Sequence, residues 1–319
     1  MRRAASRLLR LLRAWQAARA RPPSGTAMAA ARYRLAHMLI DDEPRIYADP
    51  LLERCLGEDI RRGILDSVET LRAPRACADR ASMVVRQRFA EDVLAEAVAA
   101  GVDQYVLLGA GMDLFGVRGG PLCSRLTVFE LDRPAMQRFK RRRLAQAGIR
   151  VPPRQRFVPH DLDAAGMIGA LRRAGLDPAR RAVVAWMGCT QYLSRAAVAA
   201  VLRETAGLAP GSGIVFDYKR RSDALDPADA AVLDAYLRPR AREAWLSVFD
   251  GDEMDELLAA TGWSVVRDIG AEEVMAGYLA NRRDGLRFPG YTRLVYAGNE
   301  GGRETVESRG SSRARRDRS

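Results

Sequence analysis

One stretch constrains the fold of this chain more than any other, the apolar run Gln104–Leu108 that leads directly into a glycine turn. A second apolar run follows and ends in Glu130-Leu131-Asp132. Short apolar runs bounded by turn residues are typical of parallel strands covered on both faces. Glycines at the end of the first strand let a ligand approach the backbone, and a carboxylate about 20 residues later can accept hydrogen bonds from ribose hydroxyls. The pattern predicts an α/β fold that binds an adenosine-type ligand at the carboxyl ends of these strands.

The glycine turn also bears on the kind of ligand. Gly109 and Gly111 supply the first two glycines of a G-x-G-x-x-G motif, but Leu114 stands in the third position, next to Asp113. The third glycine permits tight helix packing beneath a pyrophosphate, and a carboxylate here would repel that anion. The turn therefore favours the sulfonium cofactor S-adenosyl-L-methionine over a dinucleotide. An ordinary strand, turn and helix without a ligand stays an alternative at this point.

A series of short blocks along the chain resembles one known family. The blocks are Thr26–Arg32, His37, Ile46, Asp49-Pro50, Arg86–Asp92, Leu108–Asp113, Phe129–Pro134, Phe139-Lys140, Phe157–Leu162, Trp186–Leu193 and Phe216–Tyr218. In this order they resemble the leucine carboxyl methyltransferase family of class I S-adenosylmethionine-dependent methyltransferases, and most of all its bacterial branch of small-molecule O-methyltransferases. The resemblance spans about residues 26–298.

Fold and domain organisation follow from the resemblance and from the alternation of apolar runs. The resemblance implies a Rossmann-like α/β sheet of seven mostly parallel strands, the last antiparallel, with helices on both faces and an N-terminal helical lid. Strands are predicted near 104–108, 126–130, 155–158, 182–187, 211–217, 263–267 and 292–297, and helices near 27–38, 50–62, 79–100, 133–147, 164–174, 194–207 and 252–260. The predicted divisions are a basic arm (1–25), a lid (26–102), a sheet core (103–298) with an insertion near 223–247, and a disordered tail (299–319).

The resemblance also assigns residues to the cofactor. The predicted contacts are Arg86, Gly109, Ala110, Gly111, Asp113, Glu130, Leu131, Asp161, Leu162 and Met187. Glu130 is expected to hold the ribose hydroxyls through charge-assisted hydrogen bonds. For Asp132 a local ion pair with Arg133 or a helix N-cap is an open alternative, and for Asp161 so is a capping role.

An arginine before the first strand is the predicted clamp for the cofactor's carboxylate, because a guanidinium binds a carboxylate bidentately. Arg86 aligns best, and Arg88 cannot point the same way from one helix. Many family members have Glu-Gly where this chain has Met187-Gly188. Met187 cannot accept a strong hydrogen bond from the cofactor's ammonium, so either backbone carbonyls take that role or cofactor affinity is reduced.

The acceptor side is predicted mainly from the resemblance. Gln191 and Tyr192 follow the fourth strand, where class I enzymes place substrate-facing groups, although Tyr192 can equally be a packed aromatic. A carboxylate acceptor is already deprotonated at neutral pH and needs no general base, whereas a hydroxyl acceptor needs one. Only His37 and His160 offer an imidazole. The prediction is a methyltransferase acting on a carboxylate of a small molecule, with a retired cofactor-binding scaffold and a nicotinamide-dependent oxidoreductase as alternatives.

The net charge of +12 does not indicate a nucleic-acid partner. The first 25 residues contribute +7 and residues 300–319 contribute +2, which leaves +3 for residues 26–299. Leucines and arginines in the arm could form an amphipathic helix on a membrane surface, and a solvated extension is the alternative. Four widely spaced cysteines and two histidines argue against a metal site and predict reduced thiols in a cytoplasmic protein.

Overall fold

A single mixed sheet organises the protein. The computed structural model describes residues 25–221, 225–237, 244–250 and 252–299, so the predictions for residues 1–24 and 300–319 lie outside it. Within these residues the strands are β1 (Gln104–Leu108), β2 (Thr127–Asp132), β3 (Gln155–Pro159), β4 (Ala182–Trp186), β5 (Gly213–Arg221), β6 (Phe249–Asp250), β7 (Ser264–Ile269) and β8 (Thr292–Gly298). Their order is β3-β2-β1-β4-β5-β8-β7, with β6 beside β5. Among the described strands, β8 is antiparallel to both of its neighbours, β5 and β7, and all other pairs of strands are parallel. The predicted class I methyltransferase fold is confirmed.

Alternation along the central strands explains why the sheet is covered on both faces. In β1, Tyr105 and Leu107 belong to one core, and Val106 and Leu108 belong to the other. Successive side chains of a strand point to opposite faces, so an all-apolar strand needs helices on both sides. The apolar runs of the sequence therefore predicted all seven strands of the main sheet, and missed only the two-residue β6.

Helices cover both faces and build the N-terminal layer. They are α1 (Gly25–Ile40), α2 (Pro50–Leu56), α3 (Glu58–Leu65), α4 (Val68–Leu71), α5 (Pro74–Ala99), α6 (Phe115–Arg118), α7 (Pro121–Ser124), α8 (Pro134–Gln146), α9 (Met167–Arg173), α10 (Arg195–Ala206), α11 (Pro227–Leu237), α12 (Glu253–Ala260) and α13 (Ala271–Ala276). Five of them (α2, α5, α7, α8 and α11) begin with proline, whose fixed φ and missing N–H suit the first helical position.

One helical prediction needs correction. The single helix predicted over 50–62 is two helices, because Gly57 between α2 and α3 has φ +89° and interrupts the helical hydrogen bonds. The predicted insertion near 223–247 contains a helix, α11, in its described part. None of the described helices is long and apolar enough to cross a membrane.

The N-terminal helices pack onto the glycine turn that follows β1. Leu35 of α1 and Leu52 of α2 share a core with Met112 and Leu114 of that turn. Arg34 of α1 donates to the Met112 carbonyl at 2.7 Å and is buried there. The lid is therefore attached to the part of the sheet where β1 lies between β2 and β4, the switch point at which such folds bind ligands.

Candidate functional site

The glycine turn after β1 is tied to the end of β2. Gly109 and Gly111 have φ of +64° and +49°, a region that glycine adopts without steric cost. The Gly109 N–H donates to the Leu131 carbonyl at 2.8 Å, and the Gly111 N–H donates to Oδ2 of Asp132 at 2.7 Å. A Cβ at Gly109 would overlap the sulfur of Cys189 from the loop after β4. The turn thus lies between the ends of β2 and β4, as a cofactor turn requires.

The acidic end of β2 contains a buried ion pair. Glu130 is fully buried and forms an ion pair with Lys140 of α8, itself only 2% exposed. Burial raises the pKa of Glu130 to about 7, against the opposing effect of Lys140. Its other oxygen, Oε1, has no hydrogen-bond partner among the described residues, and the assignment of Glu130 to the ribose hydroxyls stays a prediction.

Asp132 lies two residues further along β2 and contacts the glycine turn directly. It is half-buried, and its two oxygens accept from the N–H groups of Gly111 and Arg133, each at 2.7 Å. Each carboxylate oxygen can accept more than one hydrogen bond, so ribose hydroxyls can bind without displacing these contacts. Burial raises the pKa of Asp132, while the two backbone hydrogen bonds oppose that shift.

Three residues next to the glycine turn contribute to the fold around it. The side chain of Leu131 is completely buried in the core, and only its carbonyl serves the turn. Asp113 is 5% exposed and its Oδ1 accepts from the Phe115 N–H at 2.7 Å, which starts α6. The predicted cofactor contacts of Leu131 and Asp113 stay predictions, and in this structure both side chains support the turn. Ala110 is 9% exposed and packs against the core, with its N–H directed to the Leu131 carbonyl.

The loop after β3 supplies one wall beside the turn. Leu162 is half-buried, and one of its methyl groups would lie 3.8 Å from a Cβ on Gly109. Asp161, also half-buried, forms a local turn in which its carboxylate accepts from the Asp163 N–H at 3.3 Å. His160 is half-buried and its Nε2 lies 3.0 Å from the Ala164 carbonyl oxygen, which agrees with a structural role.

Arg86 reaches the same place from α5. It is 7% exposed, and a Cβ at Gly188 would lie 2.5–2.7 Å from its guanidinium atoms. Its Nε is buried and has no hydrogen-bond partner among the described residues. Arg88 instead lies on the surface and pairs with Asp92 at 2.7 Å. Of the two arginines, the structure directs Arg86 to the loop after β4.

A buried carboxylate that the sequence analysis did not single out positions this loop. Asp217 of β5 is fully buried, and its Oδ1 accepts a short hydrogen bond from the Gly188 N–H. The Thr190 hydroxyl donates to the Asp217 carbonyl at 2.7 Å. Burial raises the pKa of the neighbouring Cys189 thiol to about 12, so this cysteine is a neutral packing group. Met187 is half-buried against the core on the α5 side of the sheet.

The two residues predicted to face the acceptor lie together after β4. Gln191 is 3% exposed, and its backbone carbonyl accepts from the N–H groups of Leu246 and Ser247 at 2.6 and 3.3 Å. It anchors the segment before β6, and its catalytic contact stays a prediction. Tyr192 is half-buried and packs against a cluster formed by Leu233, Trp245 and Tyr291, as expected of a packed aromatic.

His37 is equally a structural residue. It is completely buried, with Nδ1 2.8 Å from Oδ2 of Asp41, and its Nε2 accepts from the Ile46 N–H at 3.1 Å. Because Nε2 accepts, Nδ1 carries the proton and donates to Asp41, which also receives two hydrogen bonds from Arg80. Among the described residues, no group of three or more His, Cys, Asp and Glu side chains could hold a metal ion.

Lys219 of β5 is the functional candidate that the sequence analysis missed. It is 4% exposed, and its Nζ lies 3.0 Å from the Thr292 hydroxyl and 3.4 Å from Oδ2 of Asp217. The same nitrogen lies 5.5 and 5.8 Å from the ring centres of Trp245 and Tyr291. Desolvation lowers the pKa of Lys219, with Asp217 acting in the opposite direction. The one feature of the sequence that could have identified Lys219 is its position directly after the block Phe216-Asp217-Tyr218.

Comparisons with known proteins agree with this architecture. The sequence profile described as leucine carboxyl methyltransferase matches residues 26–206. A protein of Mycolicibacterium gilvum is 34% identical over 268 residues, covering 79% of this chain and 84% of its own. A protein of Bacillus subtilis is 28% identical over 206 residues, covering 64% and 67%. Both are named "putative S-adenosyl-L-methionine-dependent methyltransferase".

One solved structure extends the likeness to the fold. A DUF574 family protein from Streptomyces avermitilis superimposes with a TM-score of 0.53 at 17% identity, covering 85% of this chain and 97% of that one. Its similarity concerns the fold alone. The profile match over more than half of the chain and the relative at 34% identity decide the family. The chain belongs to the leucine carboxyl methyltransferase family.

Proposed function

We propose that this enzyme transfers a methyl group from S-adenosyl-L-methionine to a carboxylate oxygen of a small molecule. The observation that carries the cofactor part is the buried guanidinium of Arg86 beside Gly188, whose Nε has no partner among the described residues. A buried cation without a hydrogen-bonded partner is costly, and the carboxylate of a bound cofactor would compensate it. Membership of the family and the names of the relatives support the same cofactor.

The residues around the turn fit the rest of this cofactor. Asp132 would accept from the ribose hydroxyls, Leu162 and Asp161 would border the adenine, and the positive-φ glycines Gly109 and Gly111 leave room for the ligand at the backbone. When bound, the cofactor supplies a methyl group on a sulfonium. Carbonyl groups of the loop around Met187 would meet its ammonium, in place of the glutamate that many family members have there.

The chemistry of the acceptor is supported by the fixed roles of both histidines. His37 is buried in a hydrogen-bonded network and His160 is held at the Ala164 carbonyl. A carboxylate acceptor needs no base at neutral pH, and its methylation depends on alignment and on exclusion of water. The lid serves that exclusion, because α1 packs over the turn with Ala27 3.2 Å from a Cβ on Gly111.

Calorimetric titration tests the cofactor assignment. We expect S-adenosylmethionine and S-adenosylhomocysteine to bind with micromolar affinity. Arg86→Gln should weaken binding roughly 10- to 100-fold, because a hydrogen-bonded charge is worth about 1.5–3 kcal/mol. The matched control, Arg88→Gln, alters an exposed arginine of the same helix and should leave the affinity unchanged. Tight binding of NAD in place of these ligands would refute the assignment in favour of an oxidoreductase.

Met187 supports a second candidate function, a cofactor-binding scaffold without transferase activity. Its thioether cannot replace a carboxylate at the cofactor's ammonium. A panel of small carboxylic acids incubated with radiolabelled cofactor separates the two functions. Transfer of label to any acid establishes the enzyme, whereas cofactor binding without transfer across the panel favours the scaffold.

A further inference from the structure

Lys219 stands out in the composition of the chain as well as in its structure. Of the 52 basic residues only two are lysines, Lys140 and Lys219, and both are buried. Lys140 neutralises Glu130 inside the scaffold. Lys219 is paired less closely, because its Nζ lies 3.4 Å from Oδ2 of Asp217, whose Oδ1 accepts from the Gly188 N–H.

Contacts connect Lys219 to the cofactor side of the site. Asp217 bonds the backbone of Gly188 with one oxygen and faces Lys219 with the other. The guanidinium of Arg86 lies against Gly188 on the same loop. The ammonium of Lys219 is therefore one side chain removed from the residue proposed to clamp the cofactor's carboxylate. An acceptor bound at Lys219 would lie next to the methionine end of the cofactor.

Aromatic side chains surround this ammonium. Trp245 and Tyr291 lie over Nζ, and Tyr236 of α11 stacks on Trp245 with ring centres 4.3 Å apart and planes 6° apart. Tyr192 packs on the same cluster, and both Tyr192 and Tyr236 are half-buried, so the cluster is reachable from its rim. The indole Nε1 of Trp245 is buried without a hydrogen-bond partner among the described residues. The indole N–H of Trp245 is therefore a further hydrogen-bond donor within this aromatic cluster.

The charges that face Lys219 favour an anion. Asp217 comes from its own strand, Arg86 and Asp79 come from α5, and the neutral side chains of Tyr291, just before β8, and Thr292 of β8 complete the set. Asp79 accepts from the Tyr33 hydroxyl at 3.3 Å, and its pKa is raised by burial against the effect of Arg75. Two cations and two carboxylates are thus balanced here, and the sulfonium of a bound cofactor would add positive charge nearby. An anionic acceptor offsets that added charge, whereas a neutral one leaves it.

We propose that Lys219 and the cluster of Tyr192, Tyr236, Trp245 and Tyr291 form the acceptor subsite, and that the acceptor is a planar aromatic carboxylate. The Lys219 ammonium binds the carboxylate, and the rings of the cluster pack against the aromatic part of the molecule. This inference rests on the proposed methyltransferase function and narrows its acceptor. Lys219 is a substrate-binding residue here and takes no proton from the acceptor.

The small number of lysines makes the proposal directly testable. Lysine labelled with ¹³C at Cε gives two signals from the full-length chain. Lys219→Arg removes the signal of Lys219 and so identifies it, and the remaining signal belongs to Lys140. With S-adenosylhomocysteine bound, 1-naphthoate is added as the probe and 1-naphthamide as its uncharged match. We expect naphthoate to shift the Lys219 signal and to move its titration to higher pH, because a bound anion favours the ammonium. Naphthamide should do neither.

Affinities complete the test. Naphthoate should bind about tenfold or more tightly than naphthamide, and Lys219→Met should remove that preference while S-adenosylhomocysteine binds as before; a difference of this size matches one charge-assisted hydrogen bond. Equal binding of the two probes, no binding of naphthoate, or an unmoved Lys219 signal with the cofactor product bound would overturn the subsite alone. Failure of S-adenosylhomocysteine to bind would overturn the proposed function and the subsite together.

Discussion

Substitutions of the two carboxylates at the end of β2 should affect different properties. Glu130→Gln should mainly lower the stability of the fold, and Asp132→Asn should mainly lower the affinity for the cofactor. Glu130 is completely buried and Lys140 is 2% exposed, so Glu130→Gln leaves a buried ammonium without its counter-ion. Breaking such a pair costs about 3–5 kcal/mol, a large part of the roughly 5–15 kcal/mol that stabilises an ordinary domain. Because we assign the ribose to Asp132 and Glu130 is completely buried, affinity for S-adenosylhomocysteine should stay within about twofold.

Asp132→Asn should show the opposite behaviour. The variant loses the charge that would bind the ribose, which is worth about 1.5–3 kcal/mol or a roughly 10- to 100-fold loss of affinity. Its amide oxygen can still accept from one of the two backbone N–H groups, of Gly111 or Arg133, so the loss of stability should be about 1 kcal/mol.

Urea unfolding followed by circular dichroism and calorimetric titration with S-adenosylhomocysteine measure the two quantities in the same samples. Arg88→Gln is the control for an ion pair, because Arg88 is half-exposed in its pair with Asp92 and such pairs contribute about 1 kcal/mol or less. If Glu130→Gln lost affinity and kept its stability, the assignment of the ribose to Asp132 would be refuted.

Three further perturbations follow from the contacts. Gly109→Ala should lower stability and cofactor affinity, since its Cβ would overlap the Cys189 sulfur at a positive φ, and adding Cys189→Ala should restore part of the loss in the same unfolding and titration experiments. The pKa of Asp41 is lowered by hydrogen bonds from His37 and Arg80 against the effect of burial, so its stabilisation is present above the unfolded pKa near 4 and is lost as the pH falls through the lower folded value. Asp41→Asn should therefore be less stable than wild type at pH 7, and its urea midpoint should fall less below pH 4; parallel pH profiles would contradict this. Met187→Glu should bind S-adenosylhomocysteine more tightly if an ammonium contact is missing from the native site, and unchanged affinity would indicate that backbone carbonyls already provide it.

The sequence predicted the sheet well because its information is local. The central strands β1 and β4 are apolar runs buried along their whole length, and the turn glycines are recognisable by residue type. The choice between Glu130 and Asp132 as the ribose ligand does not follow from such local information. The two carboxylates lie two residues apart in β2, and the burial of Glu130 involves Lys140 of another element, α8. The backbone carbonyl of Gln191 likewise accepts from Leu246, which is 55 positions along the chain.

The cofactor-binding and acceptor-binding halves of the proposed site differ in how they are built, and this explains which half could be predicted from the sequence. The cofactor half consists of backbone turns at adjacent strand ends, where the residue type follows from φ and from close approach, as at Gly109 and Gly111. The proposed acceptor half is assembled from side chains on β5, α11, the segment before β6, and β8, which meet only in the folded chain. None of those side chains needs a special backbone conformation, so each looks ordinary in the sequence. An acceptor can therefore change by substitution at Lys219 or in its aromatic cluster without altering the turn that binds the cofactor, and we expect acceptor choice within this fold to depend on such positions.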